Sequence, residues 1–272
     1  MYFAEIIKAA FVGIVQGVTE WLPISSTGHM IIVNNFINLE VSKNFMNIFL
    51  VIIQLGSILA VITLYFRKLN PLDSRKSFKE KQETMSLWYK IAVASLPAAV
   101  FGFLLDETIN ELFFNKITVS LALILYGVLF ILIETQQSVC ITKNLNQLSY
   151  RTALLIGFFQ VLALIPGTSR SGSTVIGAII LGTSRCVAAE FSFFLAIPVM
   201  FGASVLKLAK HGLNFSFEEI SILFVGSLMA YVISIFSIKF LLNYVKNHSF
   251  KAFGVYRIIL GIVVLATLLF NF

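Results

Sequence analysis

Two stretches decide the fold: Q-G-V-T-E-W-L-P-I-S-S-T-G-H at residues 16–29 and P-G-T-S-R-S-G-S-T at residues 166–174. Each sits in the middle of a long apolar run, the first covering 3–38 and the second 152–184. Proline, glycine and clustered hydroxyls break both runs, leaving flanks too short for the roughly 20 apolar residues that a crossing helix needs. Non-helical backbone at membrane depth is tolerated only where it is buried in protein or lines a watery cavity. The pattern therefore predicts, at each place, a helical hairpin that enters the membrane and returns to the same side. An ordinary kinked span is the competing reading.

The composition supports a bilayer as the solvent. Of 272 residues, 58% are hydrophobic and only 12% charged, about half the charged share of a soluble domain. A soluble globular protein, a disordered chain and a secreted disulfide scaffold are all excluded. Six further segments read as full spans: 45–66, 87–105, 117–133, 187–207, 220–242 and 252–272. The formal charge of +7 has no basic run interleaved with aromatics, so nucleic acid is not an expected partner. The surplus is what loops on the cytoplasmic side carry. Loops 67–86, 134–151 and 243–251 hold ten Lys and Arg residues, whereas 39–44, 106–116 and 208–219 hold only Lys43, Lys116 and Lys210. The ten-rich side is expected to be cytoplasmic. Cys140 and Cys186 have no metal-ligand spacing and imply no disulfide. The N-terminus lacks a basic n-region and a small-residue cleavage site, so no cleaved signal peptide is expected.

The two broken stretches resemble each other at an offset of 144: Ala9, Gly13 and Gln16 match Ala153, Gly157 and Gln160, followed by Pro23 and Pro166 and then a hydroxyl cluster. The chain is thus expected to be one all-α polytopic membrane domain over 1–272, with repeat one at about 1–134 and repeat two at about 148–272. Each repeat holds one re-entrant hairpin and three spans. Three is odd, so the second hairpin must enter from the opposite face. Such inverted-topology repeats place their sites near the midplane, where the two polar tips meet.

Several polar residues in these tips need an explanation. Gln16 and Glu20 stand at i and i+4 and share a helix face. A carboxylate at membrane depth is a functional candidate by default; a purely structural partnership with Arg170 is the plainer alternative. Of Ser25, Ser26 and Thr27, one is expected to cap the following helix, and the other hydroxyls face the cavity. His29 is suited to carry a proton. Arg170 has a planar fork that fits a phosphate. Ser169, Ser171, Ser173 and Thr174 surround it, and the helix that follows offers its N-terminus to an anion. Two helix dipoles, one arginine and about six hydroxyls at one spot argue for phosphate or diphosphate. Glu20 argues in addition for chemistry or for a bound cation. Arg185 is expected as an interface anchor, and Glu190 either pairs with it or reaches the site.

At these residues the sequence resembles the undecaprenyl-diphosphatase family, the integral-membrane enzymes associated with bacitracin resistance. One family pattern, Glu or Gln followed after three residues by Glu, is met by Gln16 to Glu20. The second, P-G-x-S-R-S-x-x-T, is met by Pro166 to Thr174. F-L-V-I-I-Q-L-G-S-I-L-A-V at 49–61 and E-F-S-F-F-L-A-I-P at 190–198 also look like family sequence, and the resemblance runs end to end. It implies hydrolysis of undecaprenyl diphosphate to the monophosphate and inorganic phosphate, which recycles the lipid carrier of cell-wall synthesis. It also implies a bacterial inner-membrane location, a site open to the periplasmic side, support by a divalent cation (Mg or Ca), and in many members a homodimer. The motif-matched positions are Gln16, Glu20, Ser26, His29, Ser169, Arg170 and Thr174. Many relatives carry Glu where this chain has Gln16, which weakens the case for a cation held by Gln16 and Glu20. The nucleophile is either Ser26 or a water activated by His29 or Glu20. A transporter or flippase of a polyprenyl phosphate is the alternative function, since inverted repeats and broken helices are typical of transporters.

Overall fold

The structure is a computed structural model that describes residues 2–136, 140–212 and 214–269. It contains eleven α-helices among the described residues: α1 Tyr2–Thr19, α2 Ser26–Phe36, α3 Lys43–Leu64, α4 Phe66–Leu69, α5 Phe78–Phe113, α6 Lys116–Thr135, α7 Tyr150–Val161, α8 Arg170–Ile180, α9 Arg185–His211, α10 Phe217–Asn247 and α11 Lys251–Leu269. Six of them, α3, α5, α6, α9, α10 and α11, are long and apolar enough to cross a membrane. These are the six segments that the hydropathy predicts. The protein is a multi-pass membrane protein, and its large exposed side chains agree: Phe103, Phe224, Phe236 and Ile259 all stand on the outside of the bundle, where lipid is the apolar solvent.

The largest departure from expectation is the length of α5. It begins at Phe78 rather than at 87 and continues to Phe113 rather than stopping at 105. The added N-terminal residues, FKEKQETMS, are mostly good helix formers. Ser77 and Glu80 close the start with a reciprocal pair of bonds: Glu80 N donates to Ser77 Oγ and Ser77 N to Glu80 Oε2. A hydropathy window cannot see such a polar extension, because it forms in water rather than lipid.

The broken segments become α1–α2 and α7–α8. In each, the beginning and the end lie together. Lys8 in α1 donates to the Asn38 carbonyl at 2.8 Å, and the Glu40 amide donates to Glu5 at 2.8 Å. Before α7, Thr142 pairs in an isolated parallel bridge with Thr183, which follows α8.

Helix pairings repeat with the halves exchanged. α1 packs on α10 and α7 on α5; α2 contacts α11 and α8 contacts α6. Small residues allow these approaches. A Cβ on Gly13 would strike the Gly226 carbonyl oxygen, and one on Gly157 would strike that of Ala94. Between α6 and α11 the contact is reciprocal: a Cβ on Gly127 would lie 2.7 Å from the Gly254 oxygen, and one on Gly254 would lie 2.7 Å from the Gly127 oxygen. Gly13 meets Gly226 and Gly17 meets Ala230, so α1 and α10 run in the same direction. Gly127 meets Gly254 while Gly261 meets Ser120, so α6 and α11 run in opposite directions.

Two charged residues settle away from the expected pairing. Arg185 grips Glu134 with two nitrogens, through Nε at 2.9 Å and Nη2, and Glu134 also accepts the Phe250 amide. Glu190 therefore does not pair with Arg185; it pairs with Lys68 at 2.9 Å.

Candidate functional site

Both broken segments turn at a serine with an unusual backbone. Ser25 and Ser169 have φ of 72° and 71°, and they are the only non-glycine residues with positive φ among those described. Each caps the helix that follows it. Ser25 Oγ accepts from Gly28 N at 3.4 Å, and Ser169 Oγ accepts from Gly172 N at 3.2 Å. A side chain at φ > 0 is strained by contact of Cβ with backbone. The geometry is held because each turn must reverse the chain within a few residues and begin a helix at once. Of the three hydroxyls 25–27, Ser25 is the one that caps α2, which leaves Ser26 and Thr27 for other roles.

Ser26 faces Glu20. Its hydroxyl donates to Glu20 Oε2 at 3.4 Å, and Gln16 Nε2 donates to the same oxygen at 2.9 Å. The other carboxylate oxygen, Oε1, receives Arg170 Nη2 at 3.3 Å. Two residues 150 positions apart thus form an ion pair that is nine-tenths or more buried on both sides. Arg170 is held from behind by α9: its Nη1 donates to the Ser192 carbonyl at 2.8 Å, and Ser192 Oγ exchanges a hydrogen bond with Thr174 Oγ1 at 2.8 Å. Ser171 Oγ donates to the Glu20 carbonyl at 3.2 Å, which pins the second tip against the first. Ser173 donates to the Arg170 carbonyl at 3.4 Å and lies wholly within the protein.

His29 lies one turn from Ser26 but bonds elsewhere. Its Nδ1 donates to the Ser25 carbonyl at 2.8 Å, so Nε2 accepts from the Tyr256 hydroxyl at 2.7 Å. The two rings stack at 5.6 Å. Neither ring nitrogen is bonded to Ser26 or Glu20.

Two contributors carried no legible signal in the sequence, and a third carried little. Ser192 is one serine in an apolar span, and Tyr256 one tyrosine at a helix surface. Arg257 was visible only as a charge within a span. In the structure it is fully buried and bonds to the carbonyls of Pro23, Gly167 and Thr168, which belong to both tips. No pattern in the sequence links Arg257 to either tip.

The site keeps donors in reserve. Arg170 Nε and Trp21 Nε1 are buried and have no acceptor, and the Arg170 guanidinium lies 5.8 Å above the Trp21 ring. A buried donor without an acceptor is costly. Here one belongs to the ion-paired guanidinium and the other to the ring beneath it, and the N-terminus of α8 begins at the same arginine. That arrangement suits a multiply charged oxyanion.

The chain is similar to known proteins along nearly its whole length. The chain is 59% identical to undecaprenyl-diphosphatase 1 of Clostridioides difficile (strain 630) over 262 residues, 96% of each chain. It is 57% identical to the undecaprenyl-diphosphatase of Acetivibrio thermocellus over 96% of each chain. With that of Enterococcus faecalis (strain ATCC 700802 / V583) it shares 55% identity over the full length of both. The model of the bacitracin resistance protein BacA family matches residues 9–263, and the chain belongs to that family.

Proposed function

We infer that this protein is an undecaprenyl-diphosphate phosphatase. It hydrolyses undecaprenyl diphosphate to undecaprenyl phosphate and inorganic phosphate, and so returns the lipid carrier to cell-wall synthesis. The observation that carries the chemistry is the contact of Ser26 with Glu20 beside Arg170. Ser26 Oγ is the one side-chain hydroxyl bonded to the Glu20 carboxylate among the described residues.

Phosphoryl transfer asks mainly for positioning and charge neutralisation. Arg170 Nε, Trp21 Nε1 and the N-termini of α2 and α8 receive the diphosphate, with the hydroxyls of Thr27, Ser169 and Thr174 beside it. Ser26 Oγ attacks the terminal phosphorus and gives its proton to Glu20. The bond from that phosphorus to the bridging oxygen breaks, and undecaprenyl phosphate leaves as an anion. A water then displaces Ser26 and releases phosphate. His29, held by Ser25 and Tyr256, keeps the start of α2 in place and stands by as a proton carrier.

A divalent cation fits the donor set in one way. Glu20 offers one carboxylate, and Gln16 offers an amide oxygen once its side chain turns over, since Nε2 now faces Glu20; magnesium is commonly held by one or two carboxylates plus substrate phosphates. Glu20 and Gln16 would hold it, and when bound it would neutralise charge on the diphosphate.

The two broken segments are re-entrant hairpins, and the halves form an inverted repeat. The joined ends of each hairpin and the exchanged helix pairings support this. The bacterial inner membrane is its location in this reading, with the site open to the periplasmic side; the basic residues of loop 67–86 support that orientation, since cytoplasmic loops carry the surplus of Lys and Arg. A homodimer is the expected assembly.

The test measures phosphate release from a polyprenyl diphosphate by the purified protein in detergent, with lipid binding followed in the same micelles. Glu20→Gln should bind the lipid and lose turnover, a fall in kcat without a matching rise in KM. Binding without release by the wild type would favour a carrier of polyprenyl phosphates instead.

A further inference from the structure

Arg257 is a fully buried cation with no carboxylate partner among the described residues. Its Nη2 donates to the carbonyls of Gly167 and Thr168, each at 2.9 Å, and its Nη1 donates to the Pro23 carbonyl at 3.3 Å. Its guanidinium carbon lies 5.5 Å from the centre of the Tyr126 ring on α6. A Cβ on Gly172 would lie 2.9 Å from Nη1, so the glycine there leaves room for the guanidinium beside the first turn of α8. A buried charge is expensive unless polar groups converge on it. Here three carbonyls and an aromatic face do so, and the carbonyls come from two hairpins to which α11 does not belong.

We propose that Arg257 is a positioning residue of the phosphatase, a clamp that fixes the spacing between the tip carrying Ser26 and the tip carrying Arg170. This rests on the phosphatase reading above. Pro23 precedes Ser26 by three residues, and Thr168 precedes Arg170 by two. Between those anchor points the backbone is short and already constrained by Ser25 and Ser169. A shift at the carbonyls must therefore appear as a shift between nucleophile and phosphate donor. The forked guanidinium reaches both tips at once, whereas one ammonium cannot span them.

The test compares wild type, Arg257→Lys and Tyr126→Leu in detergent micelles on a short-chain polyprenyl diphosphate. Misplacement by about 1 Å can cost on the order of 100-fold in rate, and that is the fall in kcat expected for Arg257→Lys, with KM unchanged. Tyr126→Leu keeps the guanidinium and loses the ring beneath it. It should show a smaller fall in kcat, again with KM unchanged, and it decides the matter if the lysine variant does not fold. Retained kcat in both variants overturns the clamp. A raised KM with kcat kept also overturns it, because Arg257 would then bind substrate directly. Spin labels at 22 and 165 give a readout independent of turnover. The distance distribution should be narrow in the parent and broad in Arg257→Lys, and an unchanged distribution overturns the proposal. A wild type that releases no phosphate while this broadening is seen would count against the phosphatase reading and not against the clamp.

Discussion

Ser25 and Ser169 adopt the same rare backbone conformation, φ 72° and 71°, and each receives the glycine amide three residues further on. This correspondence between the two halves predicts an unusual substitution pattern. At an ordinary N-cap, alanine costs about 1 kcal/mol and glycine only a few tenths. At positive φ, alanine keeps the steric strain of a Cβ while losing the hydroxyl, whereas glycine removes the strain. Ser169→Gly should therefore unfold at a clearly higher temperature than Ser169→Ala, and the same order should hold at Ser25. Equal melting temperatures for the two variants in one detergent would mean that the strain is not present in solution.

Arg170 serves Glu20 through Nη2 and Ser192 through Nη1 while Nε stays free. Lysine carries the charge, but its donors sit on one nitrogen and cannot reproduce the planar fork that reaches Glu20 and Ser192 at once. Arg170→Lys is expected to lower kcat by roughly 100-fold or more, the scale for loss of one preorganised donor in a transition state. Near-normal phosphate release by this variant would show that charge alone suffices. Ser192→Ala should produce a smaller fall of the same kind, since the Ser192 carbonyl remains to hold Nη1.

The proposed inverted repeat makes a claim about sides. In protein freed of Cys140 and Cys186, single cysteines at Glu40 and Leu112 should react with a charged reagent added outside intact cells. Cysteines at Arg75 and Lys143 should react only once the inner side is opened. All four parent residues are exposed, so poor access does not confound the comparison. Labelling of 40 and 143 from the same side would overturn the opposed entry of the two hairpins.

The spans were legible because the bilayer demands about 20 apolar residues of any crossing helix, and α3 and α6 meet that demand with hardly a charge. The meeting of Glu20 with Arg170 was legible from the two polar, broken stretches, which are expected to come together and do so at 3.3 Å. What could not be read are pairings that depend on rotation of one helix against another. Lys68 reaching Glu190, and Arg257 reaching both tips, are examples. The repeat itself also misleads if read literally. Gln160 occupies the place of Gln16, yet four residues on stands Leu164 instead of a glutamate, and the Gln160 amide is buried without a partner. Sequence similarity located the position; only the structure showed that the second half does not use it in the same way.

Gln16 gives the clearest test of the cation. Its Nε2 donates to Glu20 Oε2 at 2.9 Å, next to the Ser26 hydroxyl at 3.4 Å. Gln16→Glu replaces that donor with a second carboxylate on the same helix face. Two buried carboxylates at this separation repel each other unless a proton or a cation lies between them. The substitution should deepen the dependence on magnesium or calcium. In the presence of chelator the variant should release phosphate more slowly than the wild type. With cation restored it should match or exceed the wild type, and half-maximal activity should come at a lower cation concentration, because ligand charge raises affinity. The measurement is a cation titration of phosphate release for both proteins, with binding of the cation alone followed by calorimetry. A variant that titrates like the wild type, with no tighter binding, would place the cation away from Gln16 and Glu20. It would leave Glu20 the single task of taking the proton from Ser26.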